Sequence, residues 1–337
     1  MEHYDASIAI TAVHAGKLRR YHTLPLWKQL MRPSIVGPNL RDMLLVGMGF
    51  IESFFRLVLW RPDVVFTKGG FVCLPVGIAA RVLRIPLVIH DSDAHPGLTN
   101  RLLAGGAAVI ATGAPLHHYS YPEAKSHYVG IPISDAFHPL SEGERRAAKA
   151  ELGFDQTKPL IVVTGGGLGA RRLNDATVAV LDDLLPVTSV LLISGVGQYD
   201  ELASQVPARS ERFELKAFVS EGMATILGAA DIVVARAGAT TIMELAALAK
   251  PTILVPNAYL TGGHQLKNAA AFAEDGAAIV LDEALLAERP AIFVETITQL
   301  LGDQHMLRDM QRKFFAYAKP QAAADVADLL LEAVKKA

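Results

Sequence analysis

Short apolar runs alternate with amphipathic stretches along the whole chain. "SIAITAVH" (7–14), "DVVFTKGG" (63–70), "PLVIHDSD" (86–93), "AVIATG" (108–113) and "HYVG" (127–130) predict a first series of strands. "PLIVVTGGG" (159–167), "SVLLISG" (189–195), "FELKAF" (213–218), "DIVVARAG" (231–238), "PTILVPN" (251–257) and "AAIVL" (277–281) predict a second. Nearly continuous Val, Ile and Leu fit strands covered on both faces, as in a parallel sheet with helices on each side. Two such series predict an α/β chain with two Rossmann-like, doubly wound domains. The boundary is expected in "GIPISDAFHPLSEGERRAAKAELG" (130–153), where prolines and charges replace any buried strand. Residues 1–135 then form the first domain and 136–318 the second. Residues 319–337 carry a last helix whose Ala323, Val326, Leu329, Leu330 and Val334 share one face, expected to pack back on the first domain.

Composition narrows the picture. A chain of 337 residues exceeds what one compact core usually holds, which again favours two domains. A net charge of −2 leaves no electrostatic footprint for nucleic acid. The single cysteine, Cys73, cannot build a disulfide framework and fits a reducing compartment. Residues 1–6, "MEHYDA", show neither the basic start nor the apolar stretch of a signal peptide. "LLVGMGFIESFFRLVLW" (44–60) falls short of ~18–20 uninterrupted apolar residues, because Glu52 and Arg56 break it. Ile51, Phe54, Phe55 and Val58 fall at i, i+3, i+4 and i+7, so this segment is expected to be an amphipathic helix packing that face on a sheet.

Candidate chemistry gathers at glycine turns. Ligands of doubly wound sheets bind at the carboxyl ends of strands, where helix N-termini face anions. Gly69-Gly70, Gly165-Gly166-Gly167 and Gly238 all follow predicted strands. "VVTGGGLGARRLN" suits either phosphate approach or simple helix–sheet packing. It departs from G-x-G-x-x-G, and no acid stands at the usual ribose position, which disfavours a dinucleotide dehydrogenase. Glu244 follows "ARAGATT" on a helix. It is either a first-turn acid favoured by the helix dipole or a bidentate acceptor for two ribose hydroxyls. Thr240 and Thr241 suit helix capping or diphosphate binding equally. His264, Gln265 and Asn268 either cap and solvate a helix start or bind a ligand. No residues show metal-ligand spacing, and neither metal nor cofactor is expected.

Together, "GKLRRY" (16–21), "KGGFVCLPVGIAARVLRIPLVIHDSDAHPGLTNRLLA" (68–104), "GGGLGARRLN" (165–174) and the "RAGA", "P", "VP", "HQ", "NA" sequence after 236 resemble the MurG family from about residue 8 to 283. The resemblance implies a GT-B fold, two Rossmann-like domains with an inter-domain cleft, the acceptor and membrane on the side of the first and UDP-sugar chiefly in the second. It implies inverting transfer of N-acetylglucosamine from UDP-N-acetylglucosamine to lipid I, giving lipid II for peptidoglycan, with no metal. Carried over by position, Glu244 holds the ribose hydroxyls, and Gly166 and Gly167 lie under the diphosphate. Phe218, Val219 and Met223 form the uracil pocket, while Ala239, Thr240 and Thr241 make the loop by the phosphates. Gln265, with His264, bonds the sugar hydroxyls, and Asn268 completes that loop. On the acceptor side stand Gly69, Gly70, Asp93, Asn100 and Ser134. The resemblance also implies a peripheral location at the cytoplasmic face of the cell membrane and partners among cell-wall synthesis proteins.

The chain departs from that family at several positions. Gly167 replaces a usual serine. "HDSD" (90–93) stands where His-Glu-Gln-Asn is common, so Asp93 replaces an amide, and Ser134 replaces an arginine. The opening strand with Gly-Gly-Thr-Gly-Gly-His, which holds the candidate catalytic base, has no counterpart, so about one βαβ unit is expected to be missing through a late start codon or fragmentation. His90 is left as a weak substitute base, set against a plain role in holding its loop. Two other readings stand beside the transferase: a UDP-sugar-binding subunit completed by a partner chain, and a UDP-N-acetylglucosamine epimerase drawing on Asp91, Asp93 and His264. "HAGKLRRYHTLPLWKQLMRP" (14–33) mixes Lys17, Arg19, Arg20, Lys28 and Arg32 with apolar residues, which suits an anionic membrane surface or a solvated loop and core helix.

Overall fold

A computed structural model describes residues 8–17, 32–167, 169–257 and 264–336, the side chains of 33, 35 and 264 excepted. Most of the basic, apolar stretch 14–33 lies outside the described residues. The chain divides into two compact units, residues 1–129 with 324–337, and residues 130–323.

In the first unit, α1 (Pro33–Trp60) leads to β1 (Val65–Thr67), α2 (Cys73–Val82), β2 (Leu87–Asp91), α3 (Leu98–Ala104), β3 (Val109–Thr112) and β4 (Ser126–Tyr128). The sheet is parallel in the order β1-β2-β3-β4. Residues 8–14, expected as a strand, form none. A strand needs a ladder partner, and here α1 takes that role. His14 N donates to Glu52 Oε2 at 3.0 Å, and Arg56 Nη1 donates to Ala12 O at 2.6 Å.

The face of α1 also differs from the expected one. Leu57 is buried, and Val46, Phe50 and Phe54 pack with it against the cluster of Leu74, Leu87 and Ile89. Ile51, Phe55 and Val58 are exposed instead. The helix is apolar on nearly every side, so periodicity alone does not choose between adjacent stripes. Contact with α2 and with residues 11–14 makes the choice. By length and composition, Val36–Trp60 could cross a membrane.

The second unit runs α4 (Glu142–Glu151), β5 (Leu160–Thr164), α5 (Arg171–Ala179), α6 (Leu181–Leu184), β6 (Ser189–Ile193), α7 (Val196–Ala203) and β7 (Phe213–Lys216). It continues with α8 (Met223–Ala229), β8 (Ile232–Ala235), α9 (Ala239–Ala247), β9 (Thr252–Leu254), α10 (His264–Glu274) and β10 (Ile279–Val280). Helices α11 (Glu283–Glu288), α12 (Ala291–Gly302) and α13 (Gln304–Phe315) complete it, and α14 (Ala322–Lys335) carries the chain into the first unit, where Val326, Leu329 and Ala333 cover Val88, Val109 and Ala111. All six strands are parallel, in the order β10-β9-β8-β5-β6-β7.

Two cores sandwich this sheet. On β5, Leu160 and Val162 enter one core while Ile161 and Val163 enter the other, because successive side chains of a strand point to opposite faces. Each fully buried Val, Ile or Leu stabilises by ~1.5–3 kcal/mol, so both helical layers are held firmly. Strand order turns back between β5 and β8. In sheets of this kind ligands sit outside the strand ends at such a reversal.

Candidate functional site

Three connections converge on the strand ends around this reversal. After β5, Gly165 to Gly167 turn sharply into α5. A Cβ on Gly165 would lie 2.4 Å from Ala170 N, and one on Gly169 2.3 Å from Ser194 O. Gly166 (φ +76°) and Gly169 (φ +73°) are left-handed, a region that suits glycine. Gly166 and Gly167 meet nothing within 4 Å, so the turn is tight beneath and open above.

After β8, "ARAG" enters α9 through Gly238, which offers no side-chain cap. Thr240 and Thr241 follow Ala239, and their hydroxyls have no hydrogen-bond partner among the described residues, so neither is a capping residue. The first backbone N–H groups of α9 remain free of side-chain acceptors, the ordinary arrangement for receiving an anion.

Glu244 lies in the second turn of α9, whose first turn contains no acid. Dipole compensation acts mainly on the first turn, so that role is not the one it fills. Glu244 is half-buried, and burial pushes its carboxyl from 4.5 up to about 7. No cation or donor among the described residues answers it. Such a group is costly and suits a ligand bearing hydroxyl donors.

After β9, α10 starts with His264, whose side chain lies outside the described residues. Gln265 Oε1 accepts from Asn257 N at 2.8 Å. Asn268, buried, donates through Nδ2 to Ala237 O at 3.3 Å, tying α10 to the loop before α9. At the β7 edge, Phe218 is exposed, whereas Val219 and Met223 pack on the core below it. Sequence reasoning overlooked Arg236. It is buried, donates to Val255 O at 3.0 Å and pairs with buried Glu283, fixing the start of the Gly238 turn. Its only sequence signal was an arginine interrupting "DIVVARAG".

The first unit has its own pocket, about 300 Å³, lined by Gly69, Gly70, Asp93 and Asn100 together with Lys68 and Asp91. Ser134 belongs to the other unit, where its Oγ accepts from Ala136 N at 3.3 Å. His90 is wholly buried, its Nδ1 3.2 Å from Ser92 Oγ. Asp91 was underrated. Its Oδ2 accepts from Tyr121 OH at 2.7 Å, and burial raises its carboxyl above the ordinary range. Among the described residues no group of three or more His, Cys, Asp or Glu is placed to hold a metal.

Comparison with known proteins agrees with this geometry. The glycosyltransferase family 28 N-terminal domain matches residues 8–112, and the family 28 C-terminal domain matches 160–330. A relative from Lachnospira eligens, named "UDP-N-acetylglucosamine--N-acetylmuramyl-(pentapeptide) pyrophosphoryl-undecaprenol N-acetylglucosamine transferase", is 34% identical over 89% of this chain and 79% of its own. The chain belongs to the MurG family of glycosyltransferases. A Clostridium kluyveri relative of the same name is 31% identical over 98% of this chain and 86% of its own. Among solved structures, Acinetobacter baumannii MurG matches with a TM-score of 0.67 and 25% identity, over 86% of this chain and 79% of that one. A UDP-N-acetylglucosamine 2-epimerase from Neisseria meningitidis shares the fold, at TM-score 0.65 and 13% identity over 86% of this chain and 81% of that one. The two-sheet α/β architecture is therefore the GT-B fold of this family.

Proposed function

We propose that the protein transfers N-acetylglucosamine from UDP-N-acetylglucosamine to the 4-hydroxyl of a lipid-linked MurNAc-pentapeptide, at the cytoplasmic face of the membrane. The observation that carries this reading is Glu244, a half-buried carboxylate with no partner among the described residues, one turn past an uncapped helix start. That pairing matches a nucleoside diphosphate: hydroxyls on the carboxylate, phosphates on the N–H groups. In the transfer, the acceptor oxygen bonds to the anomeric carbon as the bond to the diphosphate breaks. Negative charge grows on the departing UDP, and N–H groups of the Gly166 and Gly238 turns stabilise it. The acceptor proton must pass to a base, and Asp91, which lines the first unit's pocket, is our candidate for it. Burial makes its carboxylate a stronger base than an exposed one.

Membrane attachment draws support from the unburied side of α1, with Leu44, Phe55 and Trp60 exposed. The cell-wall synthesis proteins implied by the resemblance remain proposed partners. The test is turnover: purified protein, UDP-N-acetylglucosamine and a lipid I analogue should yield lipid II analogue and UDP in equal amounts. Asp91→Asn should lower kcat while leaving UDP affinity unchanged. Release of UDP with a free sugar, or epimerised sugar with no acceptor product, would overturn the assignment.

A further inference from the structure

The second unit holds a larger cavity at the opposite end of its sheet. About 490 Å³ opens beside the N-terminal ends of β5, β8 and β9, at Pro159, Asp231 and Pro251, with α4 and α13 as walls. It is remote in the topology from the glycine turns, which lie at the carboxyl ends of the same strands.

Its charges do not balance. Arg145, Lys250 and Arg308 line it, and buried Lys149 stands just behind. Among the described residues two carboxylates line the wall, and both are engaged. Asp231 accepts from Arg145 Nη1 at 2.5 Å, Lys149 Nζ at 2.5 Å and Leu160 N at 2.8 Å. Glu142 pairs with Arg146. Lys250 Nζ gives two donors to Gly228 O and Ala230 O, at 2.5 and 3.0 Å, which leaves a third. Burial, and then the neighbouring Arg145, push Lys250 down to about 8, while Asp231 acts the other way. Arg308 and the amide of Gln311 have no partner among the described residues. Beside these donors, Leu140, Leu248, Leu301 and Leu307 supply an apolar wall.

Excess cation with unspent donors, buried at Lys250 and exposed at Arg308, is stabilised by an anion. We propose that this cavity is a binding site for a small phosphate monoester with an apolar body, separate from the nucleotide site. Three cations favour a dianionic phosphate over a monoanionic carboxylate. The leucines favour an organic ester over the inorganic ion.

The experiment is calorimetric titration of the full chain with phenyl phosphate at low salt, with UDP present in excess to occupy the glycine turns. Phenyl phosphate should bind, and Arg308→Ala should weaken it about tenfold by removing charge-assisted hydrogen bonds. Gln311→Leu should weaken it less. Inorganic phosphate and benzoate should each bind more weakly than phenyl phosphate. Lys250→Met should abolish binding, but it is buried; Arg308 and Gln311 lie nearer the surface and keep the test open if that variant does not fold. Absence of phenyl phosphate binding, or binding unchanged by Arg308→Ala, overturns the site. Equal affinity for benzoate or for inorganic phosphate overturns the assigned ligand class.

Discussion

Glu244→Gln separates what the carboxylate costs from what it does. Burial holds the carboxyl at about 7, against 4.5 for an ordinary glutamate. Each tenfold change in proton affinity is worth ~1.4 kcal/mol, so this difference converts to roughly 3 kcal/mol. Partial exposure screens it, and halving leaves about 1.5 kcal/mol. The sign follows from a folded-state value raised above the unfolded one. The cost is absent below pH 4.5, grows as the pH rises and is fully present above 7. Glu244→Gln should therefore match the parent at pH 4.5 and exceed it at pH 8, by about 3–6 °C in Tm for a unit of this size.

Binding should move the other way. Charge-assisted hydrogen bonds contribute ~1.5–3 kcal/mol each. Glutamine keeps one acceptor oxygen but no charge, so UDP affinity should fall about tenfold to a hundredfold, and further in Glu244→Ala. Parent affinity should rise with pH through 7 as the carboxylate forms, while the glutamine variant should respond little. Scanning calorimetry at both pH values, with titration of UDP, reads every arm. A variant stabilised at pH 8 with parental UDP affinity would return Glu244 to a bystander and place the ribose elsewhere.

Four further substitutions test the supports of the site. Gly169→Ala puts a Cβ 2.3 Å from Ser194 O in left-handed backbone, whereas Gly166→Ala meets open space; denaturant unfolding should show ~1–2 kcal/mol for Gly166 and clearly more for Gly169, with UDP binding lost alongside. Glu283→Ala strands buried Arg236 and should cost ~3–5 kcal/mol in the same assay. Asn268→Ala removes the donor to Ala237 O and should cost ~1–3 kcal/mol, weakening UDP binding through the displaced Gly238 turn.

What the sequence revealed divides along physical lines. Runs such as "PLIVVTGGG" and "SVLLISG" were legible because their strands are buried on both faces, where composition alone betrays them. Ten of the eleven predicted runs overlap an observed strand; residues 8–14 do not, because an apolar run becomes a strand only if a ladder partner exists. The stripe of α1 was misread for a related reason. On a helix apolar nearly all round, the neighbours decide which side is buried, and the neighbours are tertiary.

The site shows the same division more sharply. The glycine turns lie within a few residues of a strand end and Glu244 in the helix that follows one of them, so topology assigns them to the ligand edge before the fold is known. The basic cavity is different, because Arg145, Asp231, Lys250 and Arg308 come from four separate segments. Each read alone is an ordinary surface or helix-end residue. Only the parallel sheet, which brings the starts of β5, β8 and β9 together, turns them into one charged wall. A doubly wound sheet thus advertises the chemistry at its carboxyl end in local motifs, while anything built at its amino end must be assembled from distant residues and becomes visible only in the fold.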